Sequence, residues 1–318
     1  MKFDIITFGS AVVDVFVDTD VAEKNKKISY PVGSKILINE LREDIGGGGT
    51  NTAVAFSRFG LKTGFIGKIG KDNSGKSIIN MLEKEKITFL GKAERHEKTG
   101  YSIILDSREH NRTILTYKAI NNNISWKDIK KHLRDIKKKK YIYFTSLLGE
   151  SFKTQIKLSR IAKTNSIKII FNPSDYLIRH ANKNKLYEVL KNTHILIFNK
   201  QEAEMLCRKY HMKIPKKNPE LVRVVSELGP NIIVITDKNN KIWAYDKQNN
   251  KTAGLKPHKI KVKERTGAGD AFGAGFAAGI ITGKGIEKSL ELGLKESESV
   301  LRYFGAKNKL LEKKLKKP

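Results

Sequence analysis

The chain has 318 residues, 39% of them hydrophobic, and a formal net charge of +29 from 62 basic and 33 acidic side chains. That length suits one large α/β domain or two ordinary ones, and the apolar content excludes a disordered chain except over the basic tail "KNKLLEKKLKKP". A single cysteine, Cys207, excludes an intrachain disulfide and a thiolate metal cluster, and the seven histidines show no ligand spacing.

In chain order, "FDIITFGSAVV" reads as one buried strand, and residues 12–20 and 35–41 as strands without an intervening helix. "TNTAVAFSRFG" is an apolar-faced helix, capped near Thr50 or Asn51 and ended by Gly60. The strand "KTGFIG" and the helix "SIINMLEKEK" follow. "GYSIILDS" and "RTILTYKA" read as two strands joined through the turn-like "REHN". Next come the strand "KYIYFTSLL", the helix "SFKTQIKLSRIAKTN", and the strands "IKIIFN" and "THILIFN". The helix "KQEAEMLCRKY", the short β-rich run "NIIVITD" and a helix starting near Asp270 complete the pattern. This βαβα order predicts a doubly wound, mostly parallel sheet with helices on both faces. The four extra strands predict a small sheet beside it, placed to cover a substrate.

"MKFDIITFGS" opens on a strand pattern, not a signal peptide, and the longest apolar run, 271–281, is too short and glycine-rich to span a bilayer. A soluble, cytoplasmic protein without a membrane partner is expected. The excess lysine is spread along the chain, and only "KKKK" at 137–140 and the tail form runs. Neither run is interleaved with stacking aromatics, which argues for solvated faces and against a nucleic-acid partner.

Three glycine-rich stretches compete as a phosphate site. "GKDNSGKS", Gly70 to Ser77, fits the P-loop pattern after a strand, with "NIIVITD" offering a magnesium-binding strand through Asp237. Against it, Lys71 and Asp72 favour an ordinary turn and Ser74 makes a good helix cap. "IGGGGTNTAVAF" places four glycines before a helix, whose bare amides can meet a hydroxylated or anionic ligand; a closely packed strand-to-helix connection is the alternative. In "ERTGAGDAFGAGF", Gly267, Ala268 and Gly269 can cradle a phosphoryl group with their amides, while Asp270 suits a base that takes the proton of an attacking hydroxyl. An acidic first-turn residue that merely favours the helix dipole reads equally well from these residues alone.

Together these segments resemble the ribokinase-like (PfkB) carbohydrate kinase family over nearly the whole length. "GGGGTNTAVAFSRFG" is similar to its N-terminal signature, "FNKQEAEML" to its Asn-x-x-Glu element, "RTGAGDAFGAGF" to its C-terminal signature and "VLRYFGA" to its closing Gly-Ala segment. The resemblance implies a single ribokinase-like domain over 1–318, with a β-sheet lid drawn from about 12–41 and 98–120. It implies ATP-dependent phosphorylation of a hydroxyl, in the first place a primary one, of a small sugar, with a nucleoside as the alternative acceptor and magnesium as cofactor. It makes Asp270 the catalytic base and Gly267, Ala268 and Gly269 the anion hole. Asp14, Gly46, Gly47 and Asn51 would hold acceptor hydroxyls, and Thr236 would lie near the nucleotide. Asn199 and Glu202 would organise magnesium through its waters; the alternative for this pair is a helix cap and a first-turn acid. A homodimer through the lid is implied as well.

Three departures mark the chain. The loop "TDKNNK" puts Lys238 and Lys241 where the family has glycines. Glu264 and Arg265 replace the common Asp-Thr, in a region that helps bind a monovalent cation in relatives. "GLKESESV" replaces a small, alanine-rich helix expected near the adenine. A P-loop enzyme dependent on Lys76 and a non-catalytic basic nucleic-acid-binding protein are the readings outside this family.

Overall fold

Runs of isoleucine, phenylalanine and valine, apolar at every position and too short for helices, supply the strands of a covered parallel sheet. The structure, a computed structural model, describes residues 3–109, 112–138, 140–312 and 314–315. Two residues of the expected "REHN" turn, His110 and Asn111, lie outside the described residues. So do Lys139 of the "KKKK" run and residues 313 and 316–318 of the tail.

The strands in chain order are β1 (Ile5–Phe8), β2 (Val12–Asp18), β3 (Glu40–Gly46), β4 (Thr63–Ile66), β5 (Lys68–Gly70), β6 (Thr88–Phe89), β7 (Lys92–Glu94), β8 (Gly100–Asp106) and β9 (Arg112–Tyr117). They continue with β10 (Tyr141–Thr145), β11 (Lys168–Asn172), β12 (Thr193–Asn199), β13 (Ile232–Thr236), β14 (Ile242–Asp246) and β15 (Lys251–Leu255). A nine-stranded sheet has the order β15-β14-β13-β12-β11-β10-β1-β4-β6, and a four-stranded sheet the order β3-β2-β8-β9. The large sheet is parallel except for the β14–β15 hairpin at one edge.

Alternate side chains of β1 enter different cores: Ile6 and Phe8 pack on one face of the large sheet, Ile5 on the other. Helices Gly149–Thr164, Lys183–Lys191, Lys200–Lys209 and Asn218–Ser226 cover the first face, and helices Gly48–Arg58, Ala268–Ile281 and Ile286–Leu301 the second. Strand order runs outward in both directions from the β1/β10 pair. That is the switch point of a doubly wound sheet, where the crevice beyond the strand ends takes the ligand.

Several local expectations are corrected. "FDIITFGSAVV" is two strands in two sheets, because the chain turns at Gly9–Ala11 to pass over helix Gly48–Arg58. A side chain at Gly9 would overlap Thr145, and the Ser10 carbonyl accepts from Gly49 N (3.0 Å) and Thr50 N (3.3 Å). That helix therefore begins within the glycines, with Gly47 as cap at φ +99°, and not near Thr50 or Asn51. The strand expected over 35–41 lies at Glu40–Gly46, because all seven of its residues pair with β2 from Asp18↔Glu40 to Val12↔Gly46. Ser74 is not a cap; Asp72 is, accepting from Gly75 N at 2.8 Å. The tail is not disordered where described: Lys307 and Leu310 are buried, and Leu315 N donates to the Phe59 carbonyl at 3.0 Å.

Candidate active site

A cavity of about 590 Å³ opens between the small sheet and the ends of β1, β10 and β12. Asp14, Gly47, Asn51, Asn199, Glu202, Thr236, Gly267, Gly269 and Asp270 all line it. A second cavity of about 760 Å³ adjoins it, sharing Thr236, Gly269 and Phe272. Residues separated by more than 250 positions thus meet at one place, with Asp270 in the first cavity close to where the two join.

Asp14 reaches the site because β2 leaves the switch point directly and carries it to the pocket side of the small sheet. It is 6% exposed, and burial pushes its carboxyl pKa up, opposed by a hydrogen bond from Ser102 and the charge of Lys307. Gly46 faces it across the sheet, and any side chain there would overlap the Asp14 carboxylate. Two of the four glycines are thereby explained sterically: Gly46 makes room for Asp14, and Gly47 holds a left-handed turn against the Ser10 carbonyl.

Asp270 sits in the first turn of helix Ala268–Ile281, capped by Gly267 at φ +77°. Asn51 Nδ2 donates to its Oδ2 at 2.8 Å. Burial pushes the Asp270 pKa up, while Asn51 and Lys307 pull it down. Ala268 N already donates to the Arg265 carbonyl at 3.3 Å. Gly269 and Asp270 are then the first-turn amides without an intrahelical acceptor. A methyl added at Gly269 would meet nothing within 4 Å. The backbone there faces open space, a cradle that fits an anionic group. Gly267 is fixed for a different reason, because its turn packs against Ala306.

Asn199 and Glu202 form a capping box: Asn199 Oδ1 accepts from Glu202 N (2.9 Å), and Glu202 Oε2 accepts from Asn199 N (2.8 Å). Both also line the cavity, so the local role leaves the pair beside it. Burial pushes Glu202 up to about 7. Among the described residues no cluster of three or more His, Cys, Asp or Glu could cage a metal ion. That donor set fits magnesium held largely by water and phosphate oxygens, with one carboxylate nearby.

The departures have structural counterparts. The "TDKNNK" loop keeps a tight turn, Asn240 N to the Asp237 carbonyl at 2.7 Å, with Lys238 left-handed at φ +47°. Lys238, Asn239 and Asn240 line the second cavity, while the Lys241 amine lies 5.5 Å over the Trp243 ring. Glu264 pairs with Arg112 and accepts from Thr266 N at 2.9 Å. In "GLKESESV", Glu298 accepts from His258 N at 2.9 Å at the wall of the second cavity, and Glu296 is fully buried.

The P-loop reading does not survive. Asp72 occupies the helix N-terminus that a phosphate would need, accepting from Gly75 N and from Thr99 N at 2.9 Å. Gly75 packs on the Gly70 carbonyl, and Lys76 is exposed. Three cations that sequence reasoning missed belong to the site: Arg112, Lys118 and Lys307. Lys118 lines the first cavity with its amine 4.4 Å over the Tyr176 ring. Lys307 could have been suspected from the apolar Leu310 and Leu311 that follow it, a poor composition for a free tail.

The fold and this crevice define a nucleotide-dependent phosphotransferase of the ribokinase class. The family model of the pfkB carbohydrate kinases matches residues 3–314. An uncharacterized sugar kinase of Archaeoglobus fulgidus is 28% identical, over 81% of this chain and 98% of its own length. A 5-dehydro-2-deoxygluconokinase of Clostridium perfringens is 27% identical, over 92% of this chain and 85% of its own. Adenosine kinase from Schistosoma mansoni in complex with 2-fluoroadenosine superposes with a TM-score of 0.82 at 20% identity, covering 96% of this chain and 97% of that one. The chain belongs to the pfkB family of carbohydrate kinases, and its class of reaction is ATP-dependent phosphorylation of a sugar or nucleoside.

Proposed function

We propose that the protein transfers the γ-phosphoryl group of ATP to a hydroxyl, in the first place a primary one, of a small sugar. The observation that carries this reading is the position of Asp270, a carboxylate in the acceptor cavity beside the open Gly269 backbone at the junction with the second cavity. Asp14 and Asn51 orient the acceptor; Asp270 takes its proton as the hydroxyl attacks phosphorus. The free amides of Gly269 and Asp270 and the positive end of their helix hold the transferring group, with Gly267 shaping the turn before them; the expected Ala268 amide is already taken by the Arg265 carbonyl. Magnesium, when bound, offsets phosphate charge, and Glu202 with Asn199 would hold its waters. Thr236 and the 238–240 turn line the side where the nucleotide lies.

Asp270→Asn is expected to lower turnover by about 10²–10⁴-fold with folding intact, while Lys76→Ala changes little. Coupled ADP-release assays over pentoses, hexoses, ketodeoxy acids and nucleosides test this and name the acceptor. Turnover that survives Asp270→Asn sinks the assignment. A nucleoside acceptor is the second reading, supported by the likeness to adenosine kinase. We expect no dependence on added potassium, since the Arg112 guanidinium already pairs with Glu264. The lid turns Leu41, Ile103, Leu115 and Tyr117 outward, 37% to 62% exposed, which supports a homodimer through that face. No helix among the described residues is long and apolar enough to cross a membrane. ATP as donor supports a cytoplasmic site of action.

A further inference from the structure

The closing segment carries a lysine into the centre of the site. Lys307 is 6% exposed, and its Nζ donates to Asn51 Oδ1 at 3.1 Å. An ammonium has three donors and no acceptor, so it meets only the oxygen end of a carboxamide. Asn51 must then present its NH₂ end elsewhere, and it donates that end to Asp270 Oδ2 at 2.8 Å. The lysine therefore dictates which way the amide faces, and the amide can reach the base only as a donor.

The segment is pinned on both sides. The Lys307 carbonyl accepts from Arg58 Nη1 at 3.1 Å, and Arg58 is paired with Glu85 at 2.6 Å. Ala306 packs on the Gly267 turn, and Gly305 leaves room for the Asp44 carboxylate. Burial pushes the Lys307 pKa down, and the charges of three carboxylates oppose this, Asp44 from β3, Asp14 from β2 and Asp270 from its helix, with Arg58 acting against them. Asp44 Oδ1 accepts from Ile45 N at 2.7 Å, while its Oδ2 is buried without a hydrogen bond. The Asp270 charge also acts on the phenols of Tyr143 and Tyr176, which burial keeps neutral. A buried ammonium costs several kcal/mol unless its charge is balanced, and the negative charge of these acids supplies that balance.

We infer that Lys307 is a positioning residue for phosphoryl transfer: acting through Asn51, it fixes the orientation and the ionised state of the Asp270 carboxylate. This rests on the reading of Asp270 as the base. Removing the nearby positive charge favours the protonated carboxyl, so the acidic limb of the rate profile must move to higher pH.

The test combines that profile with ¹³Cγ NMR titration of labelled aspartates, the Asp270 signal being assigned by Asp270→Asn. In Lys307→Met the Asp270 midpoint is expected to rise by about one pH unit or more, with the acidic limb of kcat following it. Lys307→Arg should restore most of the shift. Asn51→Leu, which keeps the lysine, should also raise the midpoint, and adding Lys307→Met to it should then have less effect than in the wild type. A variant that loses thermal stability but leaves the Asp270 titration unmoved overturns the inference and leaves Lys307 a structural staple. If Lys307→Met does not fold, Asn51→Leu carries the test: an unmoved Asp270 signal there overturns it equally. The titration needs no acceptor, so absence of turnover over the panel would count against the kinase reading and leave this readout intact.

Discussion

Gly46→Ala isolates the acceptor clamp from the chemistry. The backbone at 46 accepts an L-residue, since its φ lies outside the left-handed range. The added methyl would stand 2.5 Å from Asp14 Cγ and 3.0 Å from Oδ1, overlapping the other oxygen. Ordinary carbon contacts need about 3.5 Å, so Asp14 must retreat by roughly 1 Å or more. That is enough to break the hydrogen bonds to acceptor hydroxyls that we propose for it. One such bond to a charged group is worth about 2 kcal/mol, or about 30-fold in kcat/KM; two would give roughly 10³-fold. Asp270 and the Gly269 cradle are untouched, so the loss should appear mainly as a raised KM for the acceptor, with KM for ATP nearly constant. Steady-state kinetics with each substrate varied in turn, beside circular dichroism to verify folding, make the measurement. An unchanged acceptor KM would refute the argument that Gly46 exists to seat Asp14.

Glu296 is fully buried, with its carboxyl pKa raised to about 7 by burial. A carboxyl bound more tightly to its proton when folded contributes stability that is complete below the ordinary carboxylate range and lost as pH rises to about 7. The melting temperature should therefore fall between about pH 5 and pH 7 and do so less in Glu296→Gln, which should gain up to about 3 kcal/mol at pH 8; an identical profile would count against it. Gly75→Ala, which overlaps the Gly70 carbonyl, should destabilise the fold, whereas Lys76→Ala should be silent in both stability and turnover. The proposed homodimer should give a dimeric mass in light scattering that Leu115→Lys, on the outer face of the small sheet, shifts toward the monomer; a monomeric wild type, or a dimer unaffected by the substitution, would refute the proposed interface.

The sequence alone determined the parallel sheet, because the unbroken apolar runs at 169–171 and 232–235 do not alternate, and only a sheet covered on both faces buries them so. It also marked the two glycine signatures, since glycine clusters are costly unless backbone must approach something. It misplaced the ends of elements where a tertiary partner sets them: β3 is placed by β2, and helix Gly48–Arg58 begins where the Ser10 carbonyl meets its first amides. Periodicity cannot see a partner that lies elsewhere in the chain. Nor could local pattern choose among the phosphate sites, because "GKDNSGKS" and "GAGD" both put glycines before a helix. The choice lay in whether the N-terminal amides were already taken, by Asp72 in one case, or faced open space at Gly269 in the other. Lys307 shows the same limit from the opposite side. Composition made it part of a solvated tail, and only the fold carries it to Asn51 and within the field of three acids, since electrostatic interaction depends on distance in space and not on spacing along the chain.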